Sequence, residues 1–357
     1  MNAPWRAALA GRRVLLTGHT GFKGGWLALW LRELGAEVTG VSLPAADGPT
    51  LFADARVGDG LRHIECDIRD LEAFERAWRA ARPEVVFHLA AQALVRESYL
   101  DPLRTVSTNT LGTTHVLELA RRSDDPLALV LVTSDKCYEN REWERGYAED
   151  DTLGGRDVYS GSKAAAEVII SSYRRSFFGP SVAAASARAG NVIGGGDWAA
   201  DRIVPDAIAA LQAARPIAVR NPSAVRPWQH VLEPLSGYLL LATRLLDPDA
   251  AVRAAAADAW NFGPTLENTR TVGQLADALV RGWGEGSWVD RSEPGAPHEA
   301  GLLRLEIAKA GAALGWTPRW DFERAVAETV RWYRARARGD DARAVCLAQI
   351  AAYEASQ

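Results

Sequence analysis

A tyrosine and a lysine four residues apart are the first candidates for chemistry, in the segment Tyr159-Ser-Gly-Ser-Lys163. On a helix, residues with this spacing share one face, so the phenol and the ammonium can point into the same cleft. A free tyrosine has a pKa of about 10 and is a weak base at neutral pH. A neighbouring positive charge favours the phenolate and lowers that pKa. The same spacing also occurs in exposed pairs, so its meaning depends on its place in the fold.

Three polar residues, Ser134, Asp135 and Lys136, directly follow a strongly apolar run of sequence. The Ser134 hydroxyl could hydrogen-bond an oxygen that Tyr159 deprotonates, while Asp135 offers an acid and Lys136 a potential base. A turn at the end of a strand, carrying a solvated ion pair, would have the same sequence. Because Tyr159 and Lys163 follow closely, we favour a shared site with groups for more than one proton transfer.

A glycine-rich loop lies between the first predicted strand and the first predicted helix, with Gly18, Gly21 and Gly24 in the spacing GxxGxxG. The first glycine permits a tight turn, the second lets the backbone approach a pyrophosphate, and the third lets helix and strand pack closely. The helix that follows offers unpaired N–H groups and the positive end of its dipole to an anion. The order of strand, loop and helix therefore predicts that these glycines, with Thr20 and Phe22, bind a dinucleotide.

The choice of nucleotide depends on residues beyond this loop. Ser42 stands at the end of the second strand, where an acidic residue would bind a ribose hydroxyl, and no arginine lies between Glu33 and Arg56 to pair with a 2′-phosphate. We expect NAD rather than NADP. Inside the loop, His19 could hydrogen-bond a phosphate oxygen, crowd the cofactor, or be an exposed loop side chain.

Two further segments are predicted to contact the cofactor. Asp67 and Ile68 follow the third strand, where the Asp67 carboxylate could reach an adenine amino group. Ala90, Ala91 and Gln92 follow the fourth strand, where small residues let the backbone pass close beside the cofactor.

These motifs need a framework that brings strand ends together. Short apolar runs alternate with amphipathic stretches in the first half of the chain, which predicts parallel strands joined by helices. The predicted strands are 13–17, 37–43, 61–65, 84–89, 127–133 and 181–187. The predicted helices are 26–34, 71–81, 103–121, 160–178, 203–214, 234–246, 272–280 and 322–336. We expect an α/β fold, with a doubly wound Rossmann-type parallel sheet in residues 1–190. A smaller C-terminal substrate-binding cap would occupy 191–357, with some segments returning to the core.

Composition limits the classes of function. A length of 357 residues suggests two lobes, or one large domain with an elaborated end. A net charge of −4 argues against broad binding to nucleic acid or to an anionic membrane. Three widely spaced cysteines without a CxxC pair predict neither a disulfide framework nor a metal site, and they fit a reducing cytoplasm. No run of about 18 apolar residues predicts a membrane-spanning helix.

The motifs together resemble a known superfamily. The glycine loop with Ser134, Tyr159 and Lys163 resembles the extended short-chain dehydrogenases/reductases, and the run Thr-Ser-Asp-Lys-Cys-Tyr-Glu-Asn resembles the nucleotide-sugar 4,6-dehydratases, above all their CDP-glucose branch. The similarity extends from Gly11 to about Tyr333. Residues 188–198 resemble the family's substrate loop, and residues 226–231 resemble its diphosphate-binding segment.

The resemblance implies a redox-neutral dehydration of CDP-glucose to CDP-4-keto-6-deoxyglucose with NAD. Tyr159, as phenolate, would take the O4 proton while C4 gives hydride to NAD, and Ser134 would steady O4. Protonated Asp135 would donate to the departing C6 hydroxyl before hydride returns to C6. Many relatives carry a glutamate as the C5 base where this chain has Lys136. Because Lys136 could act as a base only when neutral, the group that removes the C5 proton stays open.

The substrate side needs groups for a diphosphate. Arg226 is the best candidate, because a guanidinium fork suits two phosphate oxygens. Asn191, Arg202 and His298 are weaker candidates, and Trp198 could stack on the cytosine or line the cap. Relatives pair two long helices from each subunit, which predicts a homodimer or homotetramer through residues 103–121 and 160–178. A small-molecule nucleotide sugar is the expected partner, with no nucleic acid and no membrane.

Two other functions stay open. A nucleotide-sugar 4-epimerase would need Ser134, Tyr159 and Lys163 but no acid for a leaving hydroxyl, so Asp135 beside Lys136 distinguishes the two reactions. A catalytically silent NAD-binding sensor would have no need of the intact serine, tyrosine and lysine set.

Overall fold

The computed structural model describes residues 4–292 and 301–356. Its strands are β1 (Arg13–Thr17), β2 (Glu37–Ser42), β3 (Arg62–Glu65), β4 (Val85–His88), β5 (Leu127–Val132), β6 (Val182–Arg188), β7 (Val192–Ile193), β8 (Ile217–Val219), β9 (Val225–Arg226), β10 (Gln229–His230), β11 (Ala259–Asn261), β12 (Arg270–Thr271) and β13 (Trp288–Asp290). Its α-helices are α1 (Pro4–Leu9), α2 (Phe22–Glu33), α3 (Leu51–Asp54), α4 (Leu71–Ala81), α5 (Val95–Leu100), α6 (Pro102–Val106), α7 (Gly112–Arg121), α8 (Val158–Ser176), α9 (Ile203–Gln212), α10 (Leu232–Leu245), α11 (Ala250–Ala256), α12 (Val272–Trp283), α13 (Phe322–Ala337) and α14 (Ala342–Ala355).

Seven strands form one parallel sheet in the order β3-β2-β1-β4-β5-β6-β11. Every residue of β5 is buried, as expected for a parallel strand that is covered on both faces. Its side chains alternate between two cores: Ala128 and Val130 pack on the side of α2 and α10, while Leu129 and Leu131 pack on the side of α4 and α7. The predicted Rossmann-type α/β fold is therefore confirmed.

Parts of the C-terminal half return to this sheet. Strand β11 extends it beside β6, and α10 packs against β5 and β6. Helices α1 and α14 both contact α2, because the indole N–H groups of Trp5 and Trp30 donate to one carboxylate oxygen of Glu354, at 3.1 and 3.0 Å. Sequence analysis did not predict α1, α5, α11, α14 or β11. Within the described ranges, no helix is both long and apolar enough to cross a bilayer.

The helix predicted at 103–121 is interrupted. It consists of α6, a π-helical turn at Ser107–Leu111, and α7. Asn109 in that turn is buried, and its amide donates to the Gln92 carbonyl and to Ser162 Oγ, each at 2.9 Å, while its oxygen accepts from Gln92 N. The widened turn brings this side chain into the protein, where it links the loop after β4 to α8.

The glycine loop leaves no room for side chains at two positions. Gly18 has a φ of +82°, and an added Cβ there would lie 2.7 Å from Ala90 N. At Gly24 an added Cβ would lie 2.1 Å from the Gly18 carbonyl oxygen. Helix α2 begins after Gly21 without a side-chain cap, so its first N–H groups are available to a ligand.

We predict that Gly24→Ala destabilises the protein by about 2 kcal/mol or more, because the contact is backbone against backbone and cannot be relieved by a rotamer change. The matched control is Gly161→Ala in α8, where nothing lies within 4 Å of the added Cβ. We expect that change to be neutral or stabilising by up to about 1 kcal/mol. Urea unfolding measures both values, and equal stability of the two variants would contradict the account.

Candidate active site

A cavity of about 1170 Å³ opens at the carboxyl ends of the central strands, where doubly wound sheets bind ligands. The five predicted catalytic residues all line it, namely Ser134, Asp135, Lys136, Tyr159 and Lys163. Phe22, Ala91, Asn191, Arg202 and Arg226 also line it. The structure thus brings together residues from loops and helices that are far apart in the sequence.

Helix α8 presents the tyrosine and the lysine to this cavity. Asp157 caps the helix, since its carboxylate accepts from Ser160 N at 2.9 Å. Tyr159 and Lys163 follow one turn apart and are 7% and 4% exposed. The Ser134 hydroxyl hydrogen-bonds with Tyr159 and also donates to Asp135 Oδ1 at 3.0 Å. These contacts bring serine, acid and phenol together in one place.

Asp135 is buried against the loop after β6. Asn191 Nδ2 donates to its Oδ2 at 3.3 Å. A Cβ added to Gly190 would lie 1.8 Å from that same oxygen, so only glycine lets the carboxyl group occupy this position. Asn191 itself has a left-handed φ of +51°, which aims its amide at Asp135.

Burial sets the protonation of these groups. Burial, together with the negative charge of Asp135, raises the pKa of Tyr159 to about 12, while the Ser134 hydrogen bond and Arg202 act in the opposite direction. Burial lowers the pKa of Lys163 to about 8, against the attraction of Glu167. The phenol therefore stays protonated in the protein alone, and a protonated Asp135 or an added positive charge would ease its ionisation.

A buried ion pair that sequence analysis missed supports the site. Glu167, two turns beyond Tyr159 on α8, accepts from Arg188 at 2.8 Å, from Ser186 at 2.7 Å and from Thr133. Both charged side chains are 3% exposed. Although burial opposes ionisation, the Arg188 charge and the hydrogen bonds hold the pKa of Glu167 below its usual value. A sequence signal existed, because Tyr159, Lys163 and Glu167 repeat every four residues.

The predicted cofactor residues lie in the loops that follow β1 to β4. Thr20 Oγ1 and Ser42 Oγ are 2.6 Å apart. Arg69 pairs with the Asp67 carboxylate at 2.6 Å, and Ile68 packs in the core. The uncapped start of α2 and the tight contacts at Gly18 and Gly24 fit a dinucleotide diphosphate.

Two predicted cofactor residues in the loop after β4, Ala90 and Gln92, have different environments. Ala90 is against Gly18, and the Gln92 side chain braces its own loop by donating to Thr105 Oγ1 at 2.8 Å and accepting from Leu94 N at 2.6 Å. The contact of Gln92 with a cofactor stays a prediction.

No group of three histidine, cysteine, aspartate or glutamate side chains suited to a metal ion occurs among the residues described.

His19 is not an exposed loop side chain, so that alternative is wrong. Its ring is fully buried, with Nε2 2.6 Å from His63 Nδ1, and it occupies the space above Gly40, where an added Cβ would lie 2.5 Å from the ring. Burial, and secondarily His63, lower the pKa of His19 to about 4.

The predicted substrate residues divide into two groups. Arg202 lines the cavity and pairs with Asp197 at 2.9 Å, and Arg226 lines it with Nη1 donating to the Val225 carbonyl. Trp198 instead packs against Trp332 and Tyr333 of α13. His298 lies outside the described residues. Sequence analysis also missed Lys23, which lines the cavity.

A Rossmann-type sheet with serine, tyrosine and lysine converging in its cleft defines an extended short-chain dehydrogenase/reductase. A family model described as GDP-mannose 4,6 dehydratase matches residues 15–329. The chain belongs to this family.

Known relatives act on nucleotide sugars. The chain is 47% identical over 338 residues to the CDP-glucose 4,6-dehydratase of Salmonella typhimurium, with 93% of each chain covered. The dTDP-glucose 4,6-dehydratase of Streptomyces venezuelae, solved with NAD bound, is 22% identical with a TM-score of 0.77, covering 92% of this chain and 98% of that one. The UDP-glucose 4-epimerase of Thermus thermophilus, also solved with NAD, is 26% identical with a TM-score of 0.76, covering 90% and 98%.

We predict that Glu167→Gln lowers the free energy of unfolding by about 3 kcal/mol at pH 7, because Arg188 is left buried without its counter-charge. The pKa of Glu167 is depressed, so its contribution is present above about pH 4.5 and is lost as the pH falls through the folded-state value. Urea unfolding should therefore show the difference from wild type shrinking below pH 4.5. Glu75→Gln, which removes an exposed bridge to Arg79, should cost less than about 1 kcal/mol. A cost for Glu167→Gln as small as this control would refute the assignment.

Proposed function

We propose that this protein dehydrates CDP-glucose to CDP-4-keto-6-deoxyglucose, with NAD as a cofactor that is regenerated in each turnover. The observation that carries the proposal is the convergence of Ser134, Asp135, Tyr159 and Lys163 on one cavity. The 47% identity to a CDP-glucose 4,6-dehydratase over 93% of the chain supports the choice of reaction and nucleotide. We assign cofactor binding to residues 1–190 and substrate binding to the cavity-lining parts of 191–357.

The chain's own residues move the protons. NAD, when bound, accepts hydride from C4 and returns it to C6. Tyr159, ionised, takes the proton of O4, and the Ser134 hydroxyl that contacts it donates a hydrogen bond to O4. The resulting C4 ketone acidifies the C5 proton. Asp135, protonated, then gives its proton to the C6 hydroxyl as that group leaves as water.

The protonation states that the reaction requires of Asp135 and Tyr159 favour each other. A negative charge on Asp135 raises the pKa of Tyr159, so the neutral acid that elimination requires also favours the phenolate that oxidation requires. We keep Lys136, which lines the cavity beside Asp135, as the candidate C5 base, acting as a neutral amine.

The substrate diphosphate is assigned to the cationic side of the cavity. Arg226 and Arg202 line it together with Asn191, whose amide donates to Asp135. Trp228 lines the same region and donates to the Arg270 carbonyl at 3.2 Å, so it offers a fixed indole face for a base. Trp198 and His298 remain weaker candidates.

An epimerase is the second candidate, because a UDP-glucose 4-epimerase shares this fold. Epimerisation needs no acid at C6, whereas Asp135 is buried, held by Ser134 and Asn191, and faces the cavity. One incubation with CDP-, dTDP-, GDP- and UDP-glucose, with and without added NAD, separates the candidates. We expect a 4-keto-6-deoxy product from CDP-glucose. A C4 epimer, or faster turnover of another nucleotide, would overturn the proposal.

Asp135→Asn should slow formation of the 4-keto-6-deoxy product by at least about 100-fold, because the amide cannot supply the proton for the leaving hydroxyl. C4 oxidation should survive, so bound NADH should appear in the near-ultraviolet spectrum after CDP-glucose is added. Tyr159→Phe is the matched control, since it should lose the NADH signal as well. Full product formation by Asp135→Asn would refute the acid assignment.

We propose that two copies associate through one helical surface. Of the large hydrophobic side chains that are exposed, most lie on or next to α5, α6, the π-helical turn and α8: Tyr99, Leu100, Leu103, Val106, Leu111, Val158, Val168 and Phe177. These helices contact one another, and several exposed apolar side chains on neighbouring helices are typical of an interface. We place the reaction in the cytoplasm, where the three cysteines, all free thiols, would stay reduced.

Leu103→Glu should convert a dimer into a monomer, because Leu103 is 82% exposed in the single chain and would bring a charge into the interface. Sedimentation velocity at micromolar concentration measures the change. Leu266→Glu, at a 49% exposed leucine away from these helices, should leave the mass unchanged. A wild-type protein that sediments as a monomer would contradict the proposed interface.

A further inference from the structure

A second buried carboxylate lines the cavity. Asp197 lies in residues 188–198, the segment after β6 that resembles a substrate loop, and it is 4% exposed. The reaction described above uses the carboxyl group of Asp135 and has no step for Asp197. A negative charge beside a site for an anionic diphosphate is unfavourable by charge alone. We therefore expect Asp197 to have a role that outweighs this repulsion.

Both oxygens of the Asp197 carboxylate accept hydrogen bonds. Oδ2 accepts from Arg202 Nη1 at 2.9 Å, and Oδ1 accepts from the backbone N–H of Ala199 at 3.2 Å. The carboxylate therefore links the loop to the arginine that precedes α9. An asparagine at position 197 would have to place its NH2 group against one of these two N–H donors, because an amide has only one acceptor oxygen.

Helix α13 fixes the backbone that carries Asp197. The Tyr333 hydroxyl donates to the Asp197 carbonyl at 2.5 Å. A Cβ added to Gly195 would lie 2.0 Å from Trp332 Cγ, so the backbone of the loop lies directly on that indole. Trp198 packs edge-on against both aromatic rings. Because residues before and after Asp197 contact the same helix, the carboxylate has a fixed position.

The Arg202 side chain lies close enough to Tyr159 to affect its ionisation. Both residues line the cavity, and the positive charge of Arg202 lowers the pKa of the phenol. An arginine side chain has many rotamers, and an ion pair with a fixed carboxylate restricts them. A side chain that is already restricted loses less conformational entropy when it binds a ligand.

We propose that Asp197 is a positioning residue, which holds the Arg202 guanidinium in place to bind the diphosphate of the nucleotide sugar. Asp197 acts through Arg202 and not on the reacting atoms. The inference rests on the proposed function, because it uses the assignment of Arg202 to the substrate. It also predicts a sign: loss of the negative charge at position 197 weakens the binding of an anion, although charge alone would strengthen it.

The test measures the binding of CDP to the full-length protein by titration calorimetry, with NAD at a saturating concentration. Asp197→Asn should weaken CDP binding about tenfold, because Arg202 loses its fixed acceptor. Arg202→Met should weaken it about 30-fold, because the charge-assisted contact itself is lost. In the double variant, the dissociation constant of CDP should stay within about twofold of that of Arg202→Met.

Asp201→Asn is the charge-matched control. Asp201 lines the same cavity and pairs with Arg96 and Arg220, at 3.1 and 3.0 Å. The substitution removes one negative charge from the cavity and leaves the pair of Asp197 with Arg202 intact. Asparagine also tolerates the left-handed φ of +64° at this position. We expect CDP binding to be unchanged or up to about threefold tighter.

CDP binding by Asp197→Asn that is as tight as in wild type, or tighter, would overturn the proposal. An equal loss from Asp197→Asn with and without Arg202 would also overturn it, because Asp197 would then act elsewhere. If Asp197→Asn does not fold, Tyr333→Phe gives the same comparison, with an expected loss of about threefold, because it removes the hydrogen bond to the Asp197 carbonyl.

The binding of CDP needs no turnover. A protein that binds CDP in this pattern but does not dehydrate CDP-glucose would refute the proposed reaction and leave the role of Asp197 standing.

Discussion

One buried carboxylate connects the three elements on which the site depends. Glu167 of α8 accepts hydrogen bonds from Thr133 at the end of β5 and from Ser186 and Arg188 of β6. Ser134 follows Thr133 directly, and Tyr159 lies two turns before Glu167. A buried ion pair is weak support for stability, because desolvation offsets most of its attraction. Its effect here is on geometry: it fixes the end of β5 relative to the face of α8.

Asp135 is held in the site by a second constraint, which is steric. Asp135 occupies the space that a side chain at position 190 would need, and Asn191 holds its outer oxygen. The loops after β5 and β6 therefore pack against each other without a gap. Because Asp135 and Tyr159 are buried close together, the negative charge of Asp135 raises the pKa of Tyr159. A redox-neutral reaction suits such a pocket, since each proton that leaves one group is needed at another.

Much of this architecture could be predicted from local sequence. The strand and helix periods predict the parallel sheet, and the glycine spacing predicts the close contacts at Gly18 and Gly24. The spacing of Tyr159 and Lys163 places both on one face of a helix at the carboxyl edge of the sheet. These features depend on neighbours within one or two turns, which is why a single sequence contains them.

Long-range features could not be predicted in this way. The sequence left the environment of His19 open, because nothing near it in the chain shows that Gly40 leaves a space and that His63 is a partner. The helix at 103–121 is interrupted because the Asn109 amide binds the loop after β4. Strand β11 joins the sheet beside β6 although about 70 residues separate them. In each case the partner lies on another element, and only the folded chain brings the two together.

The proposed reaction moves a hydride from C4 to C6 of the same sugar within one cavity. The most direct measurement uses CDP-glucose that carries deuterium at C4, with the position of the label in the product read by nuclear magnetic resonance. The account predicts deuterium at C6 of the 4-keto-6-deoxy sugar, with a solvent-derived hydrogen at C5. Loss of the label to solvent, or its retention at C4, would contradict the account.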